Sequence, residues 1–356
     1  MKAYEILGLM SGTSLDGLDI AHVRFEKTKD DVIKFTLINS KQYDIPKEIL
    51  NQLLEINTVS ATSIYLLDTE IGKHYANCIN NFLQEFKIDR KDIDAIASHG
   101  QTIFHQPEKG YTVQIGNGEQ IAAMTQIPVI NDFRTKDIIF GGQGAPLVPI
   151  GDFDLFSDVA ESFLNIGGFC NISFKTNNEI VAFDICPGNL PLNKLAQVKG
   201  LNYDKNGDLA KTGEINFYLL DLLNDLKFYE KTNPKSLGTE WLEEQFYPCL
   251  KFDKEIENNL RTVVEHIAYQ IYSVLKSNAI SSVLVSGGGT KNQFLIDRIR
   301  HYFKGDVIIP SEDIIDFKEA IIFAYLGVLY LEGKPNNVPS VTGASKSVVG
   351  GVLHLP

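Results

Sequence analysis

Two glycine-rich turns, each set between two β-patterned runs, constrain this chain more than any other feature. The first is Ser11-Gly12-Thr13-Ser14-Leu15-Asp16-Gly17, entered from residues 6–10 and left into residues 18–25. The second is Gly167-Gly168, between the runs at 161–166 and 170–174. Glycine lets backbone N–H groups approach phosphate oxygens closely, and Ser and Thr hydroxyls add donors. Two strand–turn–strand units facing a common cleft are how a two-lobed fold holds a nucleotide. No G-x-x-x-x-G-K-[ST] run occurs, so a P-loop is excluded.

The 356 residues exceed the usual size of one compact unit, and two domains are expected. Strand patterns at 4–10, 18–25 and 32–43 open the chain, with Lys29-Asp30-Asp31 read as a turn. Pro46 and Ser60 precede helical patterns that run through residues 54 and 86. Short strands are expected at 93–97, 112–115 and 129–132, with a helix over 119–125. A second cycle follows the Gly/Pro-rich stretch 141–146. It has strands at 161–166, 170–175 and 179–183, then helices at 192–197, 213–226 and 256–275. A buried-strand run at 281–286 enters Gly287-Gly288-Gly289 and a helix to residue 299. Three strands followed by helices, twice over, predict two similarly built α/β lobes. The first is placed at 1–131, with the tail 336–356 returning to it, and the second at 132–335.

A net charge of −12 argues against broad nucleic-acid affinity, which needs basic surface to displace counterions. It leaves room for an anionic substrate, because a few local donors can dominate one pocket. Cys78, Cys170, Cys186 and Cys249 are scattered without a CxxC or Cys/His cluster, so no structural zinc or iron–sulfur site is expected. The first strand begins almost at Met1, leaving no signal peptide ahead of it, and no apolar stretch reaches membrane-spanning length. A cytoplasmic, reducing setting is the simple expectation.

Several side chains stand out for chemistry. Asp184 follows the apolar run 180–183 and precedes Pro187-Gly188-Asn189, a place from which a carboxylate can project from a rigid backbone. A helix cap is the alternative for it. Arg134, after Asn131-Asp132-Phe133, can clamp a carboxylate through two parallel hydrogen bonds, or sit in a surface ion pair. Gln101, Thr102 and Gln114 carry donors and acceptors suited to sugar hydroxyls or an amide. His99 and His105 have no partnering Cys, and His99 reads as a hydrogen-bonded structural histidine. Cys186 has no His spaced to activate it. The stripe Ile321, Phe323, Ala324, Leu326, Leu329 and Tyr330 is core or dimer-contact material.

Spread over nearly the whole chain are Met10 to Gly17, Ser98-His99-Gly100-Gln101-Thr102, Gln114-Ile115-Gly116 and Asn131-Asp132-Phe133-Arg134. They are followed by residues 141–149, Leu164-Asn165-Ile166-Gly167-Gly168, Phe183-Asp184 with Pro187-Gly188-Asn189, residues 286–292, Glu319-Ala320 and residues 339–344. These clusters, in this order, resemble the anhydro-N-acetylmuramic acid kinases of bacterial peptidoglycan recycling. The resemblance implies an α/β, two-lobed actin/hexokinase-like (ribonuclease H-like) sugar kinase fold, with ATP and substrate meeting between the lobes. It implies a coupled reaction: water opens the 1,6-anhydro bond while O6 of the amino sugar receives the ATP γ-phosphate. The products are N-acetylmuramic acid 6-phosphate and ADP.

In this reading Asp184 is the base that takes the proton from water. Ser11, Gly12, Thr13, Ser14, Asp16, Gly17, Asp19, Gly167, Gly168, Gly287, Gly288 and Gly289 bind ATP. Gln101, Thr102, Gln114, Arg134 and Asn189 bind the sugar, Arg134 through the lactyl carboxylate. Mg²⁺ is implied, with Asp16, or else Asp19, as the carboxylate that orients it, and so is a homodimer with neither nucleic-acid nor membrane partners. The chain departs from the family pattern at Ile185 and Cys186, where Thr-Gly is usual, at Asn193 in place of Asp, and at Gly116-Asn117-Gly118 in place of Gly-Asp-Pro. An ordinary sugar kinase of the same fold, or a catalytically impaired nucleotide-responsive binding or regulatory protein, are the alternatives.

Overall fold

The computed structural model of the chain describes residues 3–28, 32–177, 179–231, 235–252 and 255–356. The turn expected at Lys29-Asp30-Asp31 lies outside the described residues. In chain order the strands are β1 (Ala3–Ser11), β2 (Leu18–Lys27), β3 (Ile33–Tyr43), β4 (Ala95–Gln106), β5 (Tyr111–Ile115) and β6 (Val129–Asn131). There follow β7 (Ser162–Ile166), β8 (Phe169–Thr176), β9 (Glu179–Pro187), β10 (Ser282–Ser286), β11 (Asp306–Ile308) and β12 (Val352–His354).

One compact unit runs through Phe156 and resumes at Phe317; the other is Ser157–Asp316. In the first unit β1, β2 and β3 form an antiparallel meander, β4 lies parallel to β1, and β6 lies parallel to β4. Strands β5 and β12 are added at β4 and β6, and both pair antiparallel. Ile6, Leu7 and Leu9 of β1 are all buried, as expected of a central strand covered on both faces. β3, at the sheet's edge, alternates between more and less exposed residues instead. The helix Ala61–Phe86 starts at Ser60, whose hydroxyl accepts the Ser63 N–H at 3.1 Å. Its Leu67, Ile71, Tyr75, Cys78, Ile79 and Phe82 recur at helical spacing and join one core with Leu7, Leu9, Leu18 and Ile96.

In the second unit β7, β8 and β9 form the meander, β10 lies parallel to β7, and β11 lies parallel to β10. Counted within its own unit, each sheet therefore has the strand order 3-2-1-4, continued by one further parallel strand, β6 in the first and β11 in the second. The repetition that the two halves barely show in their letters is present in their topology. The helix Ile256–Ser277 buries Leu260, Val263, Val264, Ile267, Ile271 and Leu275 in the core that holds Leu164, Ile166 and Val285.

The unit boundaries differ from those expected at 131/132 and 335/336. Residues after Asn131 stay with the first sheet: Phe156 packs edge-on against Phe35, ring centroids 5.2 Å apart. The chain then returns inside the helix Glu312–Leu331, well before residue 336. Gly8 and Ala97 leave room for that helix to lie on the sheet, Gly8 facing Ala320 and Ala324 and Ala97 facing Gly327. The stripe Ile321, Phe323, Ala324, Leu326 and Leu329 is accordingly core of the first unit. Three elements also differ in extent. β4 continues to Gln106 rather than stopping at residue 97, and β9 continues to Pro187 rather than stopping at residue 183. The helix expected over 213–226 is shorter, Phe217–Asn224, starting where Asn216 caps it; Gly213 instead ends a separate helix, Asp208–Thr212. Among the described residues no helix is long and apolar enough to cross a membrane.

Candidate active site

The first unit presents its glycine-rich turn between β1 and β2. Leu15 N–H donates to the Gly12 carbonyl at 3.2 Å, closing the turn, with Leu15 itself at φ 57°. Thr13, Ser14 and Asp16 are exposed at the tip. Ser11 is not: it is buried, and its hydroxyl donates to Gln101 Oε1 at 2.6 Å, with the Gly17 carbonyl as a second acceptor at 3.2 Å. Gln101 Nε2 in turn donates to the Gly12 carbonyl at 3.2 Å. Gln101, expected to bind sugar, is thus only 1% exposed and spends its amide bracing the turn.

Asp19 sits opposite Gln42 in the β2–β3 register and accepts from Gln42 Nε2 at 3.0 Å, a cross-strand pair. Gly17 closes the same corner, where an added Cβ would press on Gln42 and the Tyr43 carbonyl. Thr102 and Gln114 face each other across β4 and β5, Gln114 Nε2 donating to the Thr102 hydroxyl at 3.2 Å and to the Thr112 hydroxyl at 2.8 Å.

Arg134 follows β6. Its Nε–H donates to His99 Nε2 at 3.0 Å, and Nη1 donates to the Gly144 carbonyl at 2.7 Å. Three of its five N–H groups stay uncommitted among the described residues. Burial, then the Arg134 charge, press the His99 pKa down to about 3, so its ring is a neutral acceptor at any ordinary pH. Burial likewise lowers the Arg134 pKa to about 10, while Glu319 and Asp137 favour its charge. Glu319 is open to solvent at a point crowded by protein, and its carboxyl is raised by that crowding. Lys318 and Arg134 oppose the rise; Asp152 and Asp16 add to it. Beside it Lys318 and Asp152 form a buried pair at 2.9 Å.

What holds Gly144 has no local signature. Asp137, wholly buried, accepts the Gly144 N–H at 2.7 Å, Asn337 Nδ2 at 2.6 Å and the Thr342 hydroxyl at 2.7 Å. It ties the stretch 141–146 to the C-terminal segment. An Asp three residues after an Arg is not a signature of anything, and two of its partners, Asn337 and Thr342, lie about 200 residues away.

In the second unit three separate pieces of chain converge. Gly188 N–H donates to the Gly168 carbonyl at 2.8 Å, and Asn189 N–H to the Gly167 carbonyl at 2.9 Å. Asn189 Nδ2 reaches the Ile166 carbonyl at 3.3 Å. A Cβ on Gly188 would come within 2.5 Å of the Gly167 carbonyl, so only glycine permits this stacking. The third piece is residues 287–289. Gly287 adopts φ +85°, and a Cβ there would meet Asn165 Oδ1 at 2.5 Å and the Ile166 carbonyl at 2.8 Å. Gly168 and Gly288 remain exposed. The structure therefore gathers Gly167, Gly168, Asn189, Gly287, Gly288 and Gly289, with Asn189 acting at least as a brace.

Asp184 lies on β9 just before that junction. In the β8–β9 register Asn171 faces Asp184 and Cys170 faces Cys186, which leaves Ile185 as an extra residue. Such a bulge breaks the strict alternation of a strand and re-aims its side chains. Ile185 and Cys186 both turn into the core, 1% and 0% exposed, while Asp184 stays partly accessible. Oδ2 of Asp184 accepts the Leu237 N–H at 2.8 Å, and the Asp184 N–H donates to the Lys235 carbonyl at 3.0 Å. Oδ1 has no partner among the described residues. Burial raises the carboxyl pKa above 3.8, and the Leu237 N–H works in the opposite direction. The Cys186 thiol, buried against Cys170, is pushed well above its ordinary value and is inert.

Residues 4–356 match the family model described as anhydro-N-acetylmuramic acid kinase. The chain belongs to this family. It is 38% identical over 382 residues to the anhydro-N-acetylmuramic acid kinase of Bacillus cereus (strain Q1), covering 99% of each chain. It is 37% identical over 385 residues to that of Bacillus thuringiensis (strain Al Hakam), covering 100% of each. A ROK family glucokinase from Streptomyces griseus, solved with glucose and AMPPNP, shares 11% identity at a TM-score of 0.41. That match covers 90% of this chain and 98% of the glucokinase, and so slight a likeness decides nothing further. In this anhydro-N-acetylmuramic acid kinase Ile185 and Cys186 are positions of core packing.

Proposed function

We propose that this chain is an ATP-dependent kinase acting on anhydro-N-acetylmuramic acid. It hydrolyses the 1,6-anhydro ring and phosphorylates O6, giving N-acetylmuramic acid 6-phosphate and ADP. Within the structure the supporting observation is Asp184: one oxygen is fixed by a backbone N–H, the other is uncommitted, and the group stands beside the junction of glycine turns. The order 3-2-1-4 shared by the two sheets, each continued by a further parallel strand, supports the actin/hexokinase-like, ribonuclease H-like reading of the fold. The family resemblance also implies a cytoplasmic homodimer.

In this mechanism Asp184 Oδ1 accepts a proton from the water whose oxygen bonds to the anomeric carbon. The bond from that carbon to O6 breaks, and O6 attacks the γ-phosphorus as ADP leaves. Arg134 offers its remaining N–H groups to the lactyl carboxylate. Thr13 and Ser14 in the first unit, and the exposed backbone at Gly168 and Gly288 in the second, are the donors assigned to ATP.

Among the described residues no three His, Cys, Asp or Glu side chains cluster as a metal cage. Mg²⁺ in phosphotransferases needs only one or two carboxylates besides phosphates and waters. Asp16, exposed and within electrostatic reach of Glu319, is hard-oxygen chemistry that fits it. Asp16 would hold the ion, which when bound neutralises charge on the β- and γ-phosphates.

The test is product analysis with ATP, Mg²⁺ and the anhydro sugar in ¹⁸O-labelled water. The expected product is the ring-opened 6-phosphate with label at the anomeric hydroxyl. Label-free product would reject water attack. Turnover only with already opened sugars would make this an ordinary sugar kinase. ATP binding with no phosphorylated sugar at high enzyme concentration would make it a nucleotide-responsive binding protein.

A further inference from the structure

We infer that Leu237 is a positioning residue for Asp184, acting through its backbone N–H from a strap, residues 235–237, that covers the open edge of β9. The inference rests on the reading of Asp184 as the base. β9 is the last strand of its sheet, so among the described residues one edge has no strand beside it. At Asp184 the strap takes that place. It receives the Asp184 N–H at the Lys235 carbonyl and returns the Leu237 N–H to Asp184 Oδ2, at 3.0 Å and 2.8 Å.

A neighbouring strand normally bonds only backbone. Here the second bond goes to the side chain, which fixes the carboxylate plane and decides which oxygen is left to work. The bulge at Ile185 brings Asp184 into this position, and the strap holds it there.

The strap is itself anchored. Lys235 Nζ lies 4.7 Å from the Phe228 ring centroid and donates to the Phe228 carbonyl at 3.4 Å. The titratable groups around Asp184 are Lys235 on the strap, Cys186 on β9, Cys170 on β8 and, near the thiols, Tyr229. None is a cause of the shift in the Asp184 carboxyl, which answers to burial and to the Leu237 N–H. Removing that N–H therefore withdraws the one interaction that favours the ionised, basic form.

The experiment compares three full-length variants. Leu237→Ala shortens the side chain and keeps the N–H; Leu237→Pro removes the N–H; Asp184→Asn removes the base. Relative to Leu237→Ala, Leu237→Pro is expected to lower kcat by about 10-fold or more and to move the acid limb of the rate profile up by about one pH unit. KM for ATP moves little. If proline prevents folding, the ester made by placing the α-hydroxy analogue of leucine at position 237 removes only the N–H, and the same two shifts are expected. If Asp184→Asn abolishes turnover while Leu237→Pro, or the ester, matches Leu237→Ala in both readouts, the strap has no positioning role. If Asp184→Asn retains turnover, the base assignment fails first, whatever Leu237 does.

Discussion

Arg134 is oriented by His99, whose Nε2 accepts the Arg134 Nε–H at 3.0 Å from a ring that burial keeps neutral down to about pH 3. The ring is itself held by Phe323, centroids 4.7 Å apart. This fixes one N–H of the guanidinium, and the Gly144 carbonyl fixes a second. Arg134→Ala should raise KM for the anhydromuramic sugar roughly 10- to 100-fold, the scale of lost charge-assisted hydrogen bonds. It should also erase preference over 1,6-anhydro-N-acetylglucosamine, which lacks the carboxylate. His99→Leu should give a smaller loss of the same kind, and His99→Gln, which restores an acceptor, should recover part of it. Equal losses on both sugars would place Arg134 in phosphate handling instead.

Asp184→Asn keeps the size of the side chain and removes the base. Turnover should fall by roughly 10²–10⁴-fold, the usual scale of general-base help, with ATP affinity retained. Single-turnover kinetics and nucleotide titration separate the two. Near-normal turnover in a folded variant would reduce Asp184 to a structural residue.

The place of Asp184 on a strand leading into Pro187-Gly188-Asn189 was legible, because an apolar run followed by those turn residues is a local pattern. So were both glycine turns and nearly every strand start, which rest on periodicity and turn residues within a few positions. What was not legible depends on distant chain. Gln101 looked like a sugar ligand until its amide proved to be spent on Ser11 and Gly12. Gln42, which donates to Asp19, comes from the neighbouring strand more than twenty residues on, beyond any local pattern. The unit boundary was misplaced because a helix of one continuous pattern, Glu312–Leu331, passes from one unit to the other without a break in its letters.

The pH dependence follows from the direction of the Asp184 shift. Burial raises its carboxyl above 3.8, so kcat should fall as pH drops through that raised value, with the inflection above that of an ordinary aspartate. The stability sign is the reverse of activity. A carboxyl with a raised folded pKa contributes stability below its unfolded pKa and loses it as pH rises through the folded value. At pH 7 the ionised Asp184 is therefore a cost to folding, and Asp184→Asn should melt at a higher temperature than the parent. Thermal scans at pH 7 check this, and a lower midpoint would contradict the assigned shift.

Asp137 links stability to substrate recognition. Its carboxylate satisfies three donors in a site with no water access, and one of them, the Gly144 N–H, belongs to the residue whose carbonyl holds Arg134 Nη1. Asp137→Ala would leave Gly144, Asn337 and Thr342 without their partner, a loss of about 3 kcal/mol or more. Asp137→Asn fills the space but keeps a single acceptor oxygen, and its NH₂ would face a donor. Both variants should unfold at lower denaturant, the alanine more so. In both, KM for the anhydromuramic sugar should rise while KM for ATP stays near the parent value, because the loop that loosens is the one that aims Arg134. A stability loss with unchanged sugar KM would show that His99 alone is enough to orient the guanidinium.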